Sequence, residues 1–250
     1  MNGGKYVEDI SIESLLNKIN LDELFIDNDH YQYNGINIPR VTEILSSMLH
    51  ENYLMTWANS LGLYKRRKYK DELDQAAMKG TYVHNAIEDY IQHGNDLNLD
   101  TVMLSYQREV SYAYGSFKEW WNIISNKNVK VIMEEQRLVC PWFGGTLDLL
   151  IEINNKIYLL DFKTSNHPSY KYFLQLSAYR YILRNYYGIE IYGCGIIKLN
   201  KQCIKFEEFI IDKSNPDYEN FINICENTFL SLVYAYINRI EAERFYETLF

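Results

Sequence analysis

The spacing of apolar and polar positions changes along this chain, and the changes mark out its elements. Two β-rich runs, Thr146 to Ile153 and Lys156 to Lys163, flank Asn154-Asn155. Asn tolerates the positive φ of a tight turn, so the segment reads as a β-hairpin. With the turn centred on the Asn pair, Ile151 faces Tyr158, Leu149 faces Leu160 and Asp148 faces Asp161. The strand period of two then puts Leu147, Leu149, Leu160 and Phe162 on one face, toward a core. Asp148, Leu150, Leu159, Asp161 and Lys163 share the other.

Elsewhere the apolar period is mostly helical. Ile12, Leu15, Leu16 and Ile19 predict one or two short amphipathic helices within residues 5–30. Tyr31 to Pro39 reads as a small hairpin turning at Asn34-Gly35, and a helix follows with Thr42 as its N-cap. Asp71 to His93 predicts a helix closed by Gly94, its apolar stripe being Val83, Ile87, Tyr90 and Ile91. Gly80, costly inside a helix, implies a close backbone approach there to another element or to a phosphate. Thr101 to Lys127 reads as a long aromatic-rich helix belonging to the core. Val129 to Cys140 is strand-like with Glu134-Glu135 at its middle, and by alternation one of the two faces the acidic side of the hairpin. Glu135 is our choice. A polar loop from Thr164 to Ser169 leads into a helix over Tyr170 to Tyr187, whose inward face is Tyr172, Leu176, Tyr179 and Leu183, with Gln175 at its edge. Ile189 to Lys198 and Ile204 to Ile210 predict two further strands, and Asn215-Pro216 opens a C-terminal helix.

Composition sharpens this outline. With 250 residues the chain can bury one sizeable core, and 47% hydrophobic content argues against disorder. The economical division is an N-terminal helical and hairpin extension over residues 1–70, packed on a core domain over 71–250. No run reaches the roughly 18 apolar residues of a membrane span, and the polar start has no signal-like apolar stretch, so a cytoplasmic protein is expected. The formal net charge of −8 disfavours phosphate binding by the molecule as a whole. Any nucleic-acid contact must use local cationic surface. The dense run Lys65, Arg66, Arg67, Lys68 and Lys70 is the candidate, because Tyr64 and Tyr69 interleave aromatic surface with its charge. Lys198, Lys201 and Lys205 form a weaker one; a solvated face is the alternative for both. Cys140, Cys194, Cys203 and Cys225 form no C-x-x-C pair, so reduced thiols are expected.

The chemistry concentrates on the charged face of the hairpin. Opposed Cβ atoms on neighbouring strands lie about 4.5–5.5 Å apart, where two carboxylates repel unless a cation offsets them. Asp161-Phe162-Lys163 adds an amine to the same face. Upstream, His84 and Glu88 are neighbours on a helix, an arrangement that by spacing alone fits a histidine hydrogen-bonded to an i+4 carboxylate.

These residues occur in an ordered series: Gly80-Thr-Tyr-Val-His84, Gly145-Thr-Leu-Asp148, Asp161-Phe-Lys163 and Gln175-Leu-Ser-Ala-Tyr179. The series resembles the PD-(D/E)XK nuclease superfamily, in its RecB-like branch of phage exonucleases and mitochondrial genome maintenance exonucleases. The resemblance implies an α/β (α+β) restriction-endonuclease-like core, a central mixed sheet flanked by helices. It implies that His84, Asp148, Asp161 and the Phe162 carbonyl bind Mg²⁺ or Mn²⁺, and that Lys163 orients or deprotonates the nucleophile. Glu88 and Glu135 would be auxiliary acids, and Gln175 and Tyr179 would steady the lysine or touch DNA. Some relatives hold an iron–sulfur cluster; the cysteine spacing here does not resemble theirs, and none is expected. The implied activity is a deoxyribonuclease, foremost an exonuclease on single-stranded DNA or duplex ends in replication, recombination or phage DNA processing. The alternatives are a structure-specific or CRISPR-adaptation-type endonuclease and a non-catalytic DNA-binding or interaction module.

Overall fold

In a computed structural model, the structure describes residues 24–26, 31–33, 36–49, 69–165 and 169–250. Around a mixed sheet it is an α/β protein. β4 (Val129–Val139), β5 (Gly144–Ile153), β6 (Lys156–Lys163), β7 (Gly193–Leu199) and β8 (Phe206–Asp212) lie side by side in that order. All neighbours are antiparallel except β6 and β7, which are parallel. Parallel neighbours need a long crossover. Here it is α4 (Tyr170–Ile182), prolonged by a π-helical turn from Leu183 to Tyr187 and closed by left-handed Gly188 at φ 67°. Ser169 caps α4 by accepting the Lys171 N–H.

Helices cover both faces. On one, α2 (Tyr69–His93) and α3 (Gln107–Ile124) bury Val83, Ile87, Phe117 and Trp120 against Leu149, Ile151, Leu160 and Phe162. On the other, α1 (Val41–Met48), α4 and α5 (Tyr218–Leu249) pack Val41, Leu176 and Phe229 against Leu147, Leu150 and Leu159. The N-terminal α1 thus shares the core of the sheet. α4 lies between the sheet and α5, so every residue from Leu174 to Arg180 is buried and the expected one-sided amphipathic helix is not found. Arg180 is accordingly paired with buried Glu226 at 2.7 Å, and Arg184 joins that carboxylate at 2.6 Å.

Several boundaries depart from the sequence reading. Leu24–Ile26 form β1, pairing with β2 (Tyr31–Tyr33), where helix was expected. β2 and β3 (Ile36–Ile38) do form the expected hairpin; its turn, like Ile12 to Ile19, lies outside the described residues. Arg40, not Thr42, is the N-cap of α1, and Glu43 accepts its backbone N–H. α3 starts at Gln107 because Asn98 caps a separate 3-10 turn at Leu99–Thr101. α5 starts two residues late, since the Asn215 side chain accepts the Asp217 N–H and forms a turn before the helix. α2 runs straight through Gly80, where a Cβ would meet nothing nearer than the Thr164 hydroxyl at 3.9 Å, so no close approach is found there. Among the described residues, no helix is long and apolar enough to cross a membrane.

Candidate metal centre

The β5-β6 hairpin has the expected register, with Leu149 opposite Leu160 and Ile151 opposite Tyr158. Asn154 and Asn155 have φ of 50° and 63°, as a two-residue turn twisting with its strands requires. Ladder pairing runs from this turn to Leu149 and Leu160 and stops there. Beyond that point the Asp148 side chain takes over and accepts the Phe162 N–H at 2.7 Å. The alternation slips at the same place. Leu147 joins the cluster of Leu150 and Leu159, not that of Leu149 and Phe162, correcting the face assigned from strand period.

β4 is irregular as well. Val131 pairs with Ile151 and Met133 with Leu150, so Ile132 is an extra residue, a β-bulge. The bulge shifts the register by one and sets Glu135, between the pairs Glu134–Leu149 and Gln136–Leu147, opposite Asp148. Glu135 has φ 41°, a conformation that costs a non-glycine residue about 1–2 kcal/mol. Glu134 is turned toward Glu88 and Gln92 of α2; burial first, then the Glu88 and Glu135 charges, raise its carboxyl to about 7.

α2 brings in His84. Its Nδ1 lies 3.2 Å from Glu135 Oε1 and 3.6 Å from Asp148 Oδ2, and its Nε2 lies 3.1 Å from the Phe162 carbonyl. Both ring nitrogens face acceptors, so the ring donates from both as an imidazolium. Burial lowers its pKa, but the Asp148 charge and the hydrogen bond to Glu135 outweigh burial and raise it to about 9. His84, Glu135 and Asp148 each offer one ligand atom within 4.8 Å of the others. Phe162 fixes the carbonyl from behind: its ring, 1% exposed, meets Phe117 and Trp120 edge-on at 5.6 and 5.5 Å. Such contacts contribute about 0.5–1.5 kcal/mol each beyond burial.

Asp161 is buried to 1% exposure and points to Lys163, whose Nζ is 2.8 Å from Oδ1 and 2.7 Å from Oδ2. Only the Oδ1 contact has hydrogen-bond direction, and Oδ2 is left without a directed donor. Burial, then the Asp148 charge, push Asp161 up to about 7 against the pull of Lys163. Lys163 is held as an ammonium: burial would lower its pKa, yet Asp161 and Asp148 raise it. Its Nζ also stands 5.2 Å from the centre of the Tyr172 ring.

The structure therefore brings His84, Asp148, the Phe162 carbonyl and Glu135 together, with Asp161 and Lys163 alongside. It does not bring in Glu88, which receives the Gln92 amide at 3.3 Å while His84 turns elsewhere. Gln175 and Tyr179 share a 3.4 Å hydrogen bond and line a neighbouring pocket; the aromatic ring beside the lysine is that of Tyr172. Lys65, Arg66, Arg67 and Lys68 lie outside the described residues, and Lys70 is exposed in α2. Cys140, Cys194 and Cys225 are buried free thiols, and Cys203 is an exposed one.

No protein-family profile and no curated protein matches the chain. A solved structure described as "Crystal structure of SSO0001" is similar at 14% identity over 61% of this chain and 74% of that one. With a TM-score of 0.29 the likeness carries no argument.

The donor set fits a divalent cation. Oδ2 of Asp161 is a buried acceptor with no directed donor, and Asp148 and Glu135 are opposed carboxylates bridged only by the His84 imidazolium. Oxygen donors with one imidazole suit a hard divalent ion, Mg²⁺ or Mn²⁺.

Proposed function

We propose that this protein is a metal-dependent deoxyribonuclease, acting from the ends of single-stranded or duplex DNA in the cytoplasm. The observation that carries this reading is the joining of Asp148, Glu135, His84 and the Phe162 carbonyl to a buried Asp161–Lys163 pair. Asp148, Asp161 and the Phe162 carbonyl would hold Mg²⁺ or Mn²⁺, with neutral His84 and Glu135 completing the set. The bound ion supplies Lewis-acid polarisation of a phosphate oxygen and a water acidic enough to ionise near neutral pH. Lys163, kept protonated by Asp161 and Asp148, donates toward the attacking water or the phosphate and offsets the charge that develops there. An ammonium so held is an orienting group and an electrostatic stabiliser, which favours those roles over proton abstraction. Asp148 couples two duties, since the carboxylate that would bind the ion also receives the Phe162 N–H and so fixes the carbonyl that would bind it.

The test is release of acid-soluble nucleotides from labelled linear DNA with Mn²⁺ and with chelator, beside nicking of a closed circle. Release from linear DNA alone is expected. Cutting of the circle would make the protein an endonuclease, and no hydrolysis of either would overturn the reading.

A further inference from the structure

Beside the metal centre lies a pocket of about 230 Å³ that the metal ligands do not form. Tyr31, Arg40, Arg137, Thr146, Gln175 and Tyr179 are among the residues that line it, and none of its lining residues is acidic. In a chain of net charge −8, with five carboxylates at or next to the centre, two guanidinium groups and several hydroxyls without an acid is a marked local reversal. Arg137 has no ion-pair partner among the described residues.

The pocket is built by two adjacent glycines. A Cβ on Gly144 would come within 2.9 Å of the Tyr31 ring, and one on Gly145 within 2.6 Å of the Tyr179 hydroxyl. Only bare backbone lets both tyrosines close in, and Tyr31 Oη then reaches Thr146 Oγ1 at 3.2 Å. Arg40 is held at the rim, because the Gly144 N–H donates to the Pro39 carbonyl at 3.1 Å and Arg40 bridges Gly144 in parallel. Thr146 is two residues from Asp148, and the Tyr179 hydroxyl is close enough to feel the charges of Asp161 and Asp148. The pocket therefore adjoins the centre. Its volume is below the ~300–1,000 Å³ of pockets that enclose drug-sized ligands, and it suits a compact oxyanion. Planar guanidinium groups and hydroxyl donors are the groups that bind phosphate oxygens.

We propose that this pocket holds a phosphate group of the substrate strand, adjacent to the bond that is cut. The proposal rests on the nuclease reading for the identity of the strand and on the pocket alone for the anion. The group is either a terminal phosphomonoester or an internal phosphodiester.

Binding in chelator, where no hydrolysis occurs, tests it. Inorganic phosphate and three short single strands, with a 5′-phosphate, a 3′-phosphate or neither, are titrated against wild type, Arg137→Gln and Lys130→Gln, the last removing the same charge from an exposed site at the far end of β4. Arg137→Gln is expected to weaken phosphate and strand binding about tenfold, with Lys130→Gln near wild type and all three melting alike. Loss confined to one phosphorylated end identifies a terminal phosphate; equal loss on all three strands identifies an internal one. Wild type that binds neither phosphate nor any strand, or an Arg137→Gln protein that binds like wild type, overturns the pocket. Hydrolysis of DNA by wild type with Mn²⁺ is read separately. Its absence would strike the nuclease reading and leave a phosphate result standing.

Discussion

The two ends of the β5-β6 hairpin are made of the same strands and behave differently. At the turn end, Asn154 and Asn155 take the positive φ that the sequence advertises, and five successive residue pairs keep strict register. At the open end the ladder stops, alternation slips at Asp148, Glu135 across the sheet is forced to φ 41°, and half-buried Asp148 and buried Asp161 take His84 and Lys163 as charged partners. The turn end is satisfied by its own backbone. The open end is satisfied by the Phe162 N–H and Lys163 of β6 and by His84 from α2. Local geometry is cheap where it serves the fold and strained where charge is gathered.

The largest expected difference between the ends is in catalysis. Asp161→Asn and Asp148→Asn should each lower Mn²⁺-dependent hydrolysis by on the order of 10³-fold, the several kcal/mol of charge stabilisation a bound ion supplies. In chelator Asp161→Asn should melt above wild type, because its carboxyl is raised by burial. The sign follows from that direction: the penalty for ionising Asp161 is absent below the unfolded value near 3.8, grows with pH, and is complete above about 7. The advantage of the Asn variant should therefore vanish at pH 4 and be greatest at pH 8. Asp148→Asn should gain less, since Asp148 also receives the Phe162 N–H. Mn²⁺ should raise the wild-type Tm, by about 2.7 kcal/mol at a hundred times Kd, and do much less for either variant. Equal metal response in all three would make the aspartates structural.

Lys163→Ala separates charge relief from charge loss. It should cost hydrolysis about 10²–10³-fold while DNA affinity stays within severalfold. Unlike Asp161→Asn it should lower the Tm in chelator, because it strands a buried carboxylate, near the low end of the ~3–5 kcal/mol measured for breaking such pairs. Opposite Tm shifts from the two partners of one ion pair are the signature; shifts of the same sign would break the comparison.

A smaller effect should appear in proton release. His84 ligates only when neutral, and in the metal-free protein it holds its proton up to about 9. Mn²⁺ binding at pH 7.5 should release about one proton, with affinity rising up to about tenfold per pH unit and levelling above pH 9. In His84→Ala that slope should flatten.

The turn end should show the smallest response. Asn155→Ala puts a less tolerant residue at φ 63° and should cost about 1 kcal/mol, or about 2–4 °C in Tm. Metal affinity and hydrolysis should be unchanged, and a loss of either would mean that the two ends are coupled through the hairpin.

The sequence by itself determined the hairpin and its register as far as Leu149 and Leu160; the expected pairing of Asp148 with Asp161 is not formed, because the ladder ends one pair earlier. The hairpin and that register depend on a turn formed by adjacent residues and on a period of two, both local quantities. It also marked β4, β7, β8 and the helices that cover the sheet, with errors at ends where a side-chain cap moved the boundary, as Asn215 did for α5. Alternation left Glu134 and Glu135 open, because one inserted residue inverts every assignment beyond it. Only the bulge at Ile132, a property of two strands paired, put Glu135 opposite Asp148. Spacing likewise could not say whether His84 would turn to Glu88 on its own helix or to Glu135 and the Phe162 carbonyl across the sheet; packing of α2 on β5 and β6 chose the latter. Arg180 reads as one more polar position on a helix, and its burial against Glu226 follows from α5 covering that side. Local conformation is legible because it is decided within a few residues. The charged cluster was decided by which distant groups the folded backbone leaves facing one another.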